Sequence, residues 1–120
     1  MTTQDTTALE SHLNRMILSG QGLDAFEKYY AEDVVMQEGN AAPREGKDVN
    51  REYERQFFAS IAEFHGAELH GSAVNGDRSY SEWTFDVTLK NGTRVTSTQV
   101  AARIWENGQI TSERFYAVSA

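Results

Sequence analysis

Apolar residues recur at helical spacing through the first half of this chain and alternate with polar ones through the second. Leu9, Leu13, Met16 and Ile17 mark one face of a helix that Ser19-Gly20-Gln21-Gly22 ends. Leu23, Phe26 and Tyr30 predict a second short helix from about Leu23 to Ala31, and Val34, Val35 and Met36 a strand reaching about Glu38. Gly39 to Gly46 reads as a loop, since it holds Asn40 and the only proline, Pro43, between its glycines. A long helix follows, from about Lys47 to Phe64, with Gly66 as its stop. Val49, Tyr53, Phe57, Ile61 and Phe64 line one of its faces, leaving Arg51, Glu52, Glu54 and Arg55 in water.

Beyond it the period changes to two. Four strands are predicted, Ala67 to Val74, Arg78 to Lys90, Thr93 to Glu106 and Gln109 to Ser119. Asn91-Gly92 and Asn107-Gly108 join the last three, and both residue types accept the positive φ of a type I′ turn. If each turn has two residues, Trp83 lies opposite Val100, Phe85 opposite Thr98 and Ser81 opposite Ala102, on a face shared with Val87 and Ile104. The second turn then sets Ala102 against Glu113, Val100 against Phe115 and Thr98 against Ala117, so that an acid falls within the apolar face. The other face carries Tyr80, Glu82, Thr84, Asp86, Gln99, Arg103, Trp105, Ile110, Arg114 and Tyr116, a mixture suited to a partner surface or to solvent. At Asn75-Gly76-Asp77 a two-residue turn places Glu68, His70 and Ser72 beside Trp83, whereas a three-residue turn sends His70 outward and Leu69 inward. Helices followed by a meander predict a single α+β domain over residues 1–120, its helices covering one face of an antiparallel sheet.

Composition narrows the chemistry. The absence of Cys removes disulfides and thiolate nucleophiles, and the dispersed His residues offer no metal cluster, so no metal is expected. A net charge of −7 opposes nucleic acid and anionic membranes. Met1 to Thr7 reads as a flexible polar tail with no leader pattern, and no apolar run could span a bilayer; the expected location is cytoplasmic.

Three stretches, GLDAFEKYYAEDVVMQEG from Gly22, REGKDVNREYERQF from Arg44 and WENGQITSERFYA from Trp105, give the chain a resemblance to the nuclear transport factor 2-like superfamily and its SnoaL-like branch. The resemblance implies a cone-shaped (cystatin-like) fold, in which a curved sheet wraps a long helix behind two short N-terminal ones. It also implies the range of activities found there, from ketosteroid isomerases, polyketide cyclases, dehydratases and epoxide hydrolases to non-catalytic binding domains. Against the ketosteroid isomerase pattern, Glu38 takes the position of the base, while Asn14 and Val100 stand where the oxyanion-hole Tyr and Asp belong. Neither the paired Asp and Arg residues of a limonene-type epoxide hydrolase nor the full set of a scytalone-type dehydratase is evident.

The candidate catalytic residues are therefore Glu113, Glu38 and His70. A carboxylate drawn into an apolar wall has its pKa raised toward the useful range, and a His beside it would complete an acid–base couple. Each also has a plainer explanation: a satisfied buried acid, a solvated strand end and a packed strand His. Asn14, Tyr53, Phe57, Trp83, Phe85, Thr98, Val100 and Phe115 are expected to bind the substrate, although aromatic residues such as these are often simply core. The expected function is binding of a small, mostly apolar ligand, with cofactor-free isomerisation, cyclisation or dehydration of a carbonyl compound as its chemistry. The rival is a binding or assembly module without chemistry. A homodimer through the convex face, at Arg103, Trp105, Arg114 and Tyr116, is the expected assembly.

Overall fold

The computed structural model describes residues 1–118. Helix α1 (Thr3–Leu18) leads to α2 (Gly22–Tyr29), β1 (Tyr30–Glu38), a two-residue β2 (Arg44–Glu45), α3 (Lys47–Ala59) and four long strands. These are β3 (Ile61–Asn75), β4 (Arg78–Leu89), β5 (Arg94–Glu106) and β6 (Gln109–Val118). One sheet in the order β2-β1-β6-β5-β4-β3 contains them all, antiparallel except where β1 runs parallel to β6. The α+β architecture and the meander stand as expected. The last expected strand residue, Ser119, lies outside the described residues.

Several boundaries differ for local reasons. The polar start is no free tail: Thr2 caps α1 through Asp5 N–H while the Asp5 side chain accepts from Thr2 N–H, and Thr6 is buried. The third helix stops at Ser60, whose N–H reaches the carbonyls of Gln56 and Phe57, so Ile61, Phe64 and His65 belong to β3. Its inner face is also rotated from the expected one. Lys47 and Asn50 are buried, whereas Val49 and Tyr53 are exposed. Asn50 Nδ2 donates to the carbonyls of Gly46 and Arg44, which fixes the helix start on β2, and a Lys47 Nζ bond to the Glu27 carbonyl ties it to α2.

Register decides what the cone contains. At Asn107-Gly108 both residues have positive φ and Glu106 pairs with Gln109, the expected two-residue turn. At the other hairpin only Gly92 has positive φ, and Leu89 N–H bonds to the Thr93 carbonyl, leaving Lys90-Asn91-Gly92 as a three-residue loop. Trp83 therefore pairs with Gln99 rather than Val100, which moves every β5 side chain to the other face. Thr98, Val100, Ala102 and Ile104 face outward; Gln99, Ala101, Arg103 and Trp105 face inward. A bulge at Thr111 then shifts β6 by one residue, so Arg103 meets Glu113 and Ala101 meets Phe115. The two displacements cancel on β6, and Glu113 stays inward as expected. Another bulge, at His70 in β3, pairs Leu69 with Trp83 and turns His70 to the convex side. Arg103 and Trp105 are thus interior and take no part in a convex interface, where Arg114 and Tyr116 remain.

A candidate active-site cavity

The concave sheet and the helices enclose a cavity of about 780 Å³. Its walls are largely apolar and aromatic: Leu13, Phe26, Phe57, Phe58, Phe64, Trp83, Phe85 and Phe115 contribute, while Tyr30, Glu54, Arg103 and Glu113 are the titratable groups on its lining. Size and character are those of a small-molecule site.

Arg103 is the hub of a buried polar network. Its Nε donates to Glu113 Oε2 over 2.6 Å, and its Nη1 donates to Glu10 Oε2 at 2.8 Å and Asn14 Oδ1 at 3.3 Å. The Tyr30 hydroxyl adds a 2.5 Å bond to the same Oε2 of Glu113. Behind them Glu10 accepts from the Ser79 and Ser81 hydroxyls and from Trp105 Nε1, and Asn14 Nδ2 donates to the oxygens of Ser72 and Ser81. Two carboxylates thus share one guanidinium, leaving the cluster a formal negative charge in a medium where charge is poorly screened. Both neighbours respond. The carboxylates hold Arg103 well above its ordinary pKa against the opposing effect of burial, and burial together with the Glu113 charge raises Tyr30 well above the phenol range.

Glu54 sits on α3 at the cavity wall, half-buried. Burial first, then the charges of Glu113 and Glu38, push its pKa up to about 7, against the pull of Arg44. A carboxyl so tuned accepts a proton above neutrality and supplies one below it. Glu113 has one carboxylate oxygen to spare. Its Oε2 is occupied twice, whereas its Oε1 is one of two buried side-chain polar atoms without a partner among the described residues; the other is Trp83 Nε1.

The expected site residues divide accordingly. Glu113, Phe57, Trp83, Phe85 and Phe115 line the cavity together. Asn14 is buried in the network behind it. Glu38 ends β1 in a two-pronged ion pair with Arg44, away from the lining, and Tyr53 stacks under the same Arg44 at 3.6 Å. Thr98 bonds to Thr84 on the outer face, Val100 borders a shallow outer depression, and His70 bonds to Thr84 there, its Nδ1 3.8 Å from Glu68, so it is coupled to neither Glu113 nor Glu38. Glu54, Tyr30 and Arg103 on the lining, and Glu10 bonded to Arg103 behind it, are not among the expected site residues. Tyr29 and Tyr30 are both buried, where only one was expected to be. Glu54 follows Asn50 by one helical turn on a helix whose buried start the apolar pattern does not show.

The SnoaL-like domain profile matches residues 11–113. The chain belongs to the SnoaL-like family. A solved member from Mesorhizobium loti, carrying the SnoaL-like polyketide cyclase name, is 35% identical over 92% of this chain and 97% of its own, with a TM-score of 0.80. A SnoaL-like polyketide cyclase homologue from Jannaschia superposes with a TM-score of 0.81 at 12% identity, covering 97% of this chain and 87% of the other. A limonene-type epoxide hydrolase-like protein of Mycobacterium tuberculosis gives 0.74 at 20% identity, covering 98% and 84%. These last two likenesses show the fold alone. No curated protein matches the chain. SnoaL-like domains commonly bind small molecules, and some are cyclases or isomerases. Among the described residues no set of three His or carboxylate side chains is placed to hold a metal, and no helix is long and apolar enough to cross a membrane.

Proposed function

We propose that the cavity binds a small, mostly apolar carbonyl compound and moves a proton on it, with Glu54 as the exchanging acid–base group. The observation that carries this reading is the placement of Glu54, a carboxyl with a pKa of about 7 on the wall of an aromatic cavity. As carboxylate it takes a proton from the carbon beside the carbonyl; as acid it returns that proton to another carbon or to a departing hydroxyl. Isomerisation, cyclisation and dehydration share this step. Glu113, pinned by Tyr30 and Arg103, orients the substrate through its second oxygen. On the convex face, Arg114 and Tyr116 are offered to a second copy of the chain.

The test is solvent-deuterium exchange at the α-carbon of 2-tetralone, followed by NMR. Exchange should be accelerated by the protein, increase with pH through about 7 and fall about 10²-fold or more in Glu54→Gln. Equal exchange in the wild type and the variant would refute the assignment. A second reading, epoxide opening by water, draws on the two carboxylates that Arg103 holds together. Conversion of an epoxide to its diol that persists in Glu54→Gln would select it.

A further inference from the structure

The two tryptophans differ in one respect. Trp105 Nε1 donates to Ser79 Oγ at 3.0 Å and to Glu10 Oε1 at 3.3 Å. Trp83, equally buried, stacks on Phe85 with ring centroids 5.3 Å apart, lines the cavity and finds no acceptor for its Nε1–H among the described residues. Glu113 on the same cavity wall has a free acceptor, Oε1, while Tyr30 and Arg103 both bond to its other oxygen. Buried polar atoms normally find partners, and one left without a partner is costly. Here one donor and one acceptor, both buried, are left over on two residues that line a single, largely apolar cavity, which makes a complementary pair of demands on a ligand. Charge adds a third demand. With Glu10 and Glu113 set against Arg103 alone, and Glu54 adding charge as pH rises through about 7, an anionic ligand is repelled.

We propose that Trp83 Nε1 and Glu113 Oε1 form a two-point anchor for a neutral ligand with an apolar frame. The ligand presents an oxygen acceptor to Trp83 and an O–H or N–H group to Glu113. The inference rests on the cavity of the preceding reading but not on its proton transfer. Trp83 becomes a specificity-determining residue, with its ring as wall and its N–H as hook.

The test uses the two indole N–H resonances in ¹⁵N-labelled protein, assigned with Trp83→Phe. The probes are 6-hydroxy-1-tetralone, tetralin as the bare frame and 2-naphthoate as an anion. Hydroxytetralone should move the Trp83 resonance downfield and leave that of Trp105 in place; tetralin should do neither, and naphthoate should bind most weakly. Trp83→Phe should lose about three- to tenfold in affinity for hydroxytetralone and none for tetralin. A Trp83 resonance that answers hydroxytetralone and tetralin alike, or the binding of neither, overturns the anchor from the wild-type spectra alone. Should the anchor respond as expected while 2-tetralone shows no accelerated exchange, the proton-transfer reading falls and this one stands.

Discussion

Arg103 and Glu113 face each other across β5 and β6, joined by a 2.6 Å bond between side chains that are 2% and 1% exposed. Removing the arginine would strand two carboxylates, because Glu10 leans on the same guanidinium. Arg103→Met is expected to cost about 3–5 kcal/mol, the usual penalty for breaking a buried ion pair from one side. Urea unfolding at pH 7 measures it. The combined Glu10→Gln, Arg103→Met, Glu113→Gln variant should recover much of the loss, since no charge is then left uncompensated.

Glu54 couples stability to pH with an unusual sign for a carboxylate. Its folded-state pKa of about 7 exceeds the ordinary glutamate value of 4.5, so between these pH values the folded chain holds the proton that the unfolded chain has released. Stability from this group is complete below about 4.5 and is lost as pH rises through 7, by at most on the order of 3 kcal/mol. Glu54→Gln should therefore be more stable than the wild type at pH 8 and no different at pH 4, while losing proton exchange. Denaturation midpoints at the two pH values decide it.

Tyr30→Phe keeps the ring packed on Phe26 but deletes the hydroxyl that bonds to Glu113. A hydrogen bond to a charged group contributes about 1.5–3 kcal/mol, which is the expected loss on unfolding. A loss near zero would mean that Arg103 alone satisfies Glu113 Oε2.

Glu38→Gln and His70→Ala should retain turnover, with the pH profile of Glu38→Gln moved lower because the Glu38 charge helps to raise the Glu54 pKa. Glu38 is bound to Arg44 with 40% of its side chain in solvent, and His70 lies on the convex face, so neither should cost more than about 1 kcal/mol. Loss of α-proton exchange in either variant would return it to the list of catalytic groups.

The order of elements was readable because period and turn chemistry are local properties. Asn107-Gly108 even specified its turn type. What could not be read was how many residues each connection and bulge consumes. Asn91-Gly92 reads the same whether it makes a two- or a three-residue loop; here the bond from Lys90 N–H to the Ser60 carbonyl accompanies the longer form. That single residue hid Arg103 and Trp105, which look like surface residues in sequence and are interior in the fold. Glu54 was hidden differently. Its helix buries Lys47 and Asn50 through bonds to neighbouring backbone, so apolarity pointed to the wrong face.

The three-residue loop at Lys90-Asn91-Gly92 also bears on how such a cone can change over generations. Deleting one of its residues would impose the shorter turn and exchange the inner row of β5 for the outer one in a single step. Thr98, Val100 and Ala102 would enter the interior, and Glu10 and Glu113 would lose their shared cation at once. Chain length in a hairpin at the cavity's edge therefore acts as a selector for the chemistry inside. Insertions and deletions there are far from neutral, even though no residue of the loop lines the cavity.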